Sequence, residues 1–324
     1  MTEILVSQIV HQHDEEYVAQ IDDRTPVKVV IQEEKKTREE AKMNLVKNQL
    51  TPQKLKIFEA ITEKGASNWL NALPLRDHGF FLNKQTFWDT IHLRYGIPLR
   101  RLPIKCVCNQ SFNVEHALTC MKGGFIGIRH NEVRDFTADL LSEVCNDVAI
   151  EPLLTPLTGE KFTHKTANKK EQARLDVSAR GVWVKGSKAF FDVRVFNPLA
   201  QSYKDQTLKA AHRLNENGKK REYAERVLNV EHGSFTPLVF SCLGGMSPEC
   251  LHFFNRVADM ISEKRDINAS KGRAWVRTKL SFCLLRTTNL CIRGSRTRRQ
   301  HSQESVADTN IPIVMIDAKL DGIE

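Results

Sequence analysis

A chain of 324 residues has room for about two domains, each with its own buried core. Its 48 Lys and Arg against 39 Asp and Glu leave a net charge of +9, which favours a polyanionic partner such as nucleic acid. A membrane span is disfavoured, because the charge-free run from His232 to Pro248 is broken by Gly233, Pro237, Gly244 and Gly245. The opening MTEILVSQIVHQHDEE meets acids early and has no basic region ahead of its apolar stretch, so it does not read as a secretory leader.

Residues 1–100 read as a helical, highly charged region. The run Glu33-Glu34-Lys35-Lys36-Thr37-Arg38-Glu39-Glu40 alternates sign in blocks at i,i+4 spacing, as solvent-exposed helices do. Thr51-Pro52 gives an N-cap followed by Pro at the first helical position, opening a helix to Gly65. A second helix fits Lys84–Tyr95, with Phe87, Trp88 and Ile91 on its apolar face.

Residues 101–128 hold the densest chemistry. Three of the eight cysteines fall within fifteen residues and share that window with a histidine, in the order Cys106-x-Cys108-x7-His116-x3-Cys120. His116 and Cys120 are four apart and so lie on one face of a helical turn, while Cys106 and Cys108 can both point inward from a tight loop. Four protein ligands in so short a segment describe a closed, structural zinc site. Cys145, Cys242, Cys250, Cys283 and Cys291 sit in apolar surroundings and read as small core residues.

From Arg129 the pattern turns mixed. Arg129–Asn146 is a helix with Val133, Phe136, Leu140, Leu141 and Val144 on its apolar face and Glu132, Asp139 and Glu143 along one edge. A strand is expected around Ala149–Thr155, then strands over Arg174–Val184 and Lys188–Phe196 around the turn Lys185-Gly186-Ser187. Gln206–Asn229 reads as a helix weakened at Asn217-Gly218, and Phe235–Ser241 as a buried strand. Helices over Met246–Lys264 and Gly272–Ile292 follow. This order gives an α/β domain at 129–293 with a small mixed sheet flanked by helices. The tail 294–324 is basic and polar, with a short apolar strand at Ile313–Ile316.

Within the strands, Asp176 sits between Leu175 and Val177, and Asp192 and Arg194 share one face of Phe190–Phe196 while Phe191, Val193 and Val195 take the other. Charges on strands that should be buried need a reason, either a structural pair or a functional site. The order of acidic helix, Asp176 and Asp192-Val-Arg194 resembles the PD-(D/E)XK, restriction-endonuclease-like αβββαβ core. The zinc knuckle directly ahead, then Arg129-His130-Asn131, then Arg174-Leu175-Asp176, looks like the C-terminal tail of the reverse transcriptases of target-specific non-LTR retrotransposons. The likeness covers about Cys106–Phe240, and the chain has no Tyr-x-Asp-Asp polymerase motif.

The resemblance implies a metal-dependent DNA endonuclease. Asp176 and Asp192 would hold Mg²⁺ or Mn²⁺, Glu132 would lend a further acid from the preceding helix, and His130 would touch phosphate or cap that helix. Two departures are visible. Arg194 stands where the family has Lys, and an arginine, always protonated, serves poorly as a general base. A lysine of the following helix (Lys204, Lys209 or Lys219) would have to substitute. A hairpin turning at Gly186 also sets Asp192 opposite Arg180, so a bulge near Arg180-Gly181 or a different turn is needed to bring the two acids together.

Lys219, Lys220, Arg221 and Tyr223 form a candidate nucleic-acid contact, since Lys219 and Tyr223 share a helix face and could grip a phosphate while stacking a base. Arg273, Arg277, Lys279, Arg286 and Arg293, then Arg296, Arg298 and Arg299, extend the positive surface. DNA is favoured over RNA, an intracellular and nuclear setting over a cytoplasmic one, and a homodimer would be needed for double-strand cleavage. Two competing readings are a cleavage-inactive, zinc-containing nucleic-acid-binding module, and a structural or protein-interaction fragment using the charged helices of residues 33–64.

Overall fold

The computed structural model describes residues 27–295, and backbone contacts divide the chain into units 1–55 and 56–324. In the first unit the sign-alternating run lies within helix α1 (Val27–Gln49). Helix α2 (Pro52–Thr62) begins at the expected cap: the Thr51 carbonyl accepts from Leu55 N at 2.8 Å and its hydroxyl from Lys54 N at 3.4 Å.

The second unit is an α/β body built in the order α3 (Lys84–Arg94), α4 (Val114–Thr119), α5 (Phe125–Val144), β1 (Asn146–Ile150), β2 (Val177–Arg180), β3 (Lys188–Phe196), α6 (Leu208–Asn229), β4 (Ser234–Ser241), α7 (Pro248–Lys264) and α8 (Ala269–Arg293). The four strands form one small mixed sheet in the order β1-β2-β3-β4. The first three are antiparallel, and β4 runs parallel to β3 after crossing over through α6. No helix among the described residues is long and apolar enough to cross a membrane.

Alternation along β3 divides the core into two layers. Phe191 and Val193 join Val177, Ala179, Leu238 and Phe240 on the face covered by α5, α7 and α8, where Val133, Leu141, Phe253, Phe254 and Leu284 are wholly or almost wholly buried. Phe190 and Phe196 point to the other face, against Tyr223, Val227, Leu208 and Ala211 of α6. The apolar stripe read along 129–146 therefore is the α5 stripe that meets the sheet. Cys242, Cys250 and Cys291 are buried in the core as thiols, as their surroundings indicated.

Element boundaries depart from the expectation where local chemistry overrides periodicity. Helix α5 starts at Phe125 because Gly124 takes the left-handed conformation (φ 75°) that a residue with a side chain avoids. The strand expected at 149–155 lies earlier, at Asn146–Ile150, with only a single bridge between Leu153 and Arg174 beyond it. Strand β2 keeps only Val177–Arg180 of the expected 174–184. Asn217-Gly218 does not break α6, which is continuous. The short strand at 313–316 lies outside the described residues, as does most of the basic tail.

Helix α3 corrects a second expectation. Phe87 and Trp88 are 42% and 51% exposed, and the residues it buries are Asp89 and Thr90. What docks it is polar: Arg293 of α8 grips Asp89 through two bonds of 2.7 Å, and Asn289 donates to the Thr90 hydroxyl at 2.9 Å. Three further arginines are likewise engaged. Arg273 makes a two-pronged pair with Asp259, Arg277 donates to Asn255, and Arg286 binds the Phe81 carbonyl at 3.0 Å. They brace the fold instead of forming the open positive surface their spacing implied.

Burial opposes ionisation of Asp89, but the bonds from Arg293 outweigh it and hold the carboxyl below its ordinary value. A depressed native value stabilises the fold at neutral pH, and that stability fades as pH falls through the ordinary carboxylate range of about 4 and below. Asp89→Asn is expected to lower stability at pH 7 and to flatten this acid-side loss, measured by urea unfolding across pH.

Candidate functional site

The zinc-type cluster forms as its spacing indicated. The chain turns back after Cys106 with Asn109 N donating to the Cys106 carbonyl at 2.8 Å, Cys106 N donating to Gln110 O at 2.9 Å, and Asn109 itself left-handed (φ 67°). Asn113 then caps α4 by accepting from His116 N at 2.7 Å, and that short helix sets His116 one turn from Cys120. The four ligand atoms lie within 4.8 Å of one another. Separations are 3.9 Å for Cys106 Sγ to Cys120 Sγ, 4.0 Å for Cys120 Sγ to Cys108 Sγ, and 3.3 Å for Cys108 Sγ to His116 Nε2. Tetrahedral Zn²⁺ with bonds of about 2.3 Å to sulfur and about 2.0 Å to nitrogen would space its ligands about 3.5–3.8 Å apart, so the group fits. Burial works against ionisation of Cys106, but hydrogen bonds from its neighbours in the cluster pull the thiol down to about 6.

This Cys/His cluster is packed into the α/β body. Cys106, Phe112, Ala117 and Leu118 share an apolar cluster with Phe125 of α5, Cys242, and Cys291 and Ile292 of α8. Buried Arg129, the first residue of α5's Arg129-His130-Asn131, reaches the carbonyls of Leu118 and Val195, both at 3.4 Å. The next residue, His130, lies at the second candidate centre.

That centre depends on the β2–β3 register. The ladder pairs Val177 with Phe191 and Arg180 with Lys188 and ends there; just beyond it Asp176 N donates to the Phe191 carbonyl at 3.1 Å, which sets Asp176 beside the Phe191–Val193 stretch of β3. The connection spans residues 181–187, closed by Gly181 N donating to Ser187 O at 3.0 Å with Gly181 at φ 98°. Its midpoint is Val184. The hairpin centred on Gly186 is thus corrected: the turn is a different one, and Arg180 faces Lys188 instead of Asp192.

Both oxygens of Asp176 are held. His130 Nε2 lies 2.9 Å from Oδ1, and Val193 N donates to Oδ2 at 2.6 Å. Asp192, only 5% exposed, pairs through Oδ2 with Lys219 Nζ of α6 at 2.8 Å. Burial pushes the Asp192 carboxyl up to about 6, the ammonium of Lys219 opposing and the charge of Asp176 adding to the rise. Lys219 also lies 5.5 Å above the Tyr223 ring. Tyr223 is buried, and its hydroxyl is pushed above its ordinary range by burial and by Asp192.

The remaining candidates fall in different places. Arg194 is exposed two residues beyond Asp192 and makes no ion pair among the described residues. Glu132 is not drawn into the Asp176–Asp192 group. Its main-chain carbonyl accepts from Cys283 of α8, and burial together with the charge of Asp135 raises its carboxyl. The α5 residues that face Asp176 are His130 and, one turn on, Arg134, whose guanidinium is bonded to Asp135 and Glu151 and feels the charge of Asp176. Arg134 was missed, although its i+4 spacing from His130 was readable. Lys204 and Lys209 are exposed. The contact group on α6 is split: Lys219 and Tyr223 turn inward to the sheet, Lys220 pairs with Glu249, and Arg221 alone is fully exposed.

No family model matches this chain, and no curated protein matches it.

Two outcomes test the centres. Cys120→Ser, or chelation of the parent, is expected to remove one equivalent of bound zinc by elemental analysis and to lower the unfolding free energy, since metal binding is coupled to folding. For Asp192, a native value near 6 against an ordinary value of about 3.9 means the fold holds a proton there that the unfolded chain releases. Metal-free stability therefore falls as pH rises from about 4 to 6, and Asp192→Asn should abolish that portion of the slope in thermal unfolding.

Proposed function

We propose that this chain is a Mg²⁺- or Mn²⁺-dependent DNA endonuclease with a restriction-endonuclease-like core and a structural zinc knuckle, similar to the tails of target-specific non-LTR retrotransposon reverse transcriptases. The observation that carries the reading is the convergence of Asp176, Asp192 and Lys219 at the β2–β3 pair, with Lys219 Nζ 2.8 Å from Asp192. The helix–three strands–helix–strand order from α5 to β4 supports it.

Asp176 and Asp192 supply the hard carboxylate oxygens that would hold the divalent cation. When bound, that cation supplies charge neutralisation at the scissile phosphate and ionisation of a nearby water. His130 and the Val193 amide orient Asp176 from opposite oxygens, and each oxygen keeps lone-pair capacity for a further ligand. Burial keeps Asp192 costly to ionise alone, which favours a cation beside it. Lys219 brings an ammonium to the same carboxylate, positioned to donate to a phosphate oxygen as negative charge builds there. Arg194, exposed on the same strand face, is available to a neighbouring phosphate. DNA is the favoured substrate, one centre per chain would nick one strand, and a second copy would be needed to cut both.

Arg194 in the place of lysine, with the absence of a polymerase motif, favours a cleavage-inactive binding module. Lys219 weakens that motive, because an amine reaches the acidic pair from α6.

Parent protein in Mg²⁺ is expected to nick supercoiled plasmid. Asp176→Ala, Asp192→Ala and Lys219→Met should each lower the rate by about 100-fold or more, and Arg194→Ala by less. Equal nicking by the two aspartate variants and the parent would sink the reading.

A further inference from the structure

Between β1 and β2 the chain runs through residues 151–176 without a helix or strand. Connections longer than about 15 residues are usually either functional or disordered. This one is tied down along α6, and the ties come from α6 side chains. Arg226, wholly buried, donates to three carbonyls: Thr155 at 3.0 Å, Asn168 at 2.9 Å and Lys170 at 2.8 Å. It thereby cross-braces the two ends of the loop. At the loop's far side the Glu225 carboxylate accepts from Thr163 N at 2.8 and 2.9 Å and from its hydroxyl at 3.0 Å. Glu231 takes Thr155 N at 2.6 Å, and Asn168 N donates to the Glu222 carbonyl at 2.8 Å.

With its backbone so engaged, the loop turns a basic set outward. Lys161, His164, Lys165, Lys169 and Lys170 are all exposed, and none forms an ion pair among the described residues. Of the two acids between 156 and 172, Glu160 is bonded to Thr158. A groove between loop and helix is lined by Thr163, His164, Lys220, Arg221 and Glu225, and exposed Arg221 adds a cation on α6 to those of the loop. The acidic centre is close by: Asn168 Nδ2 donates to Tyr223 OH at 3.2 Å, and that ring lies beneath Lys219, the partner of Asp192.

An acidic, cation-type centre repels a polyanion until it is loaded, so a substrate strand needs anchoring by fixed positive charge nearby. We propose that the braced loop 155–173 is a phosphate-backbone rail that grips a DNA strand beside the Asp176–Asp192 centre, with Arg226 and Glu225 as the positioning residues that hold its shape. This rests on the endonuclease reading for the identity of the strand, but the rail itself is a binding surface and is tested without cleavage.

The test is anisotropy of a fluorescent DNA duplex without divalent cations, over a salt series. Three proteins are compared: parent, the loop variant Lys161→Gln/Lys165→Gln/Lys169→Gln/Lys170→Gln, and a control with equal charge loss elsewhere, Lys54→Gln/Lys64→Gln/Lys122→Gln/Lys185→Gln. All eight lysines are exposed, so both variants should fold, which circular dichroism checks. The rail predicts that the loop variant binds about 10-fold or more weakly and that its log–log salt slope drops by about 3, while the control stays near the parent. Equal losses in both variants, no loss in the loop variant, or no salt-dependent binding by the parent would each overturn it. Plasmid nicking by the same proteins separates the two claims. A parent that nicks DNA with a loop variant that binds normally removes the rail alone. A parent that binds through the loop but does not nick removes the endonuclease reading alone.

Discussion

The register of β2 on β3 is the constraint on which the rest of this site depends. Side chains alternate across a strand, so shifting one partner by a single residue would turn its apolar side chains away from the core they fill. The pairing of Val177 with Phe191 fixes both outcomes at once. It delivers Phe191 and Phe190 to two separate cores, and just past its end Asp176 bonds the Phe191 carbonyl and the Val193 amide on either side of Asp192. The apolar cost of breaking that register is what allows a buried acid such as Asp192 to persist where burial alone would disfavour it.

Helix α6 supplies the second half of the arrangement. Its inward face is mostly polar: His212, Glu216, Lys219, Tyr223 and Arg226 recur at helical spacing, and each finds a different task. His212 pairs with Glu63 at 3.0 Å, Glu216 accepts the Glu249 amide at the start of α7, Lys219 meets Asp192, and Arg226 ties down the long loop. Such a face contributes less apolar burial than a leucine stripe would. It specifies which neighbours α6 accepts, because each polar group left unpaired would cost about 1–3 kcal/mol.

How much of this was readable in the sequence follows from how local each feature is. The Cys106–Cys120 cluster is contained in fifteen residues, so its spacing alone carried the geometry. The two aspartates were identifiable as acids on apolar strands, but their alignment turned on a loop. The glycine that matters to its closure is Gly181, at its first residue, whereas Gly186 suggested a tighter hairpin. The inward direction of Lys219 was hidden because hydrophobic periodicity is the usual guide to a buried face, and on α6 that face is charged. The shared face of Lys219 and Tyr223 was right, while the side it presents was not. The α8 arginines misled for the opposite reason: their partners Asp89 and the Phe81 carbonyl are some two hundred residues away in sequence. From α5 it is His130 and Arg134 that reach Asp176, a contact whose partners lie more than forty residues apart and so leave no local signal.

The account stands or falls on whether Asp176 and Asp192 together hold a divalent cation. Calorimetric titration of Mn²⁺ into the zinc-loaded protein measures this directly. One saturable site in the parent, lost in Asp176→Asn and in Asp192→Asn and retained in Lys219→Met, is the predicted result. Absence of any such site, or a site of unchanged affinity in both aspartate variants, would contradict it.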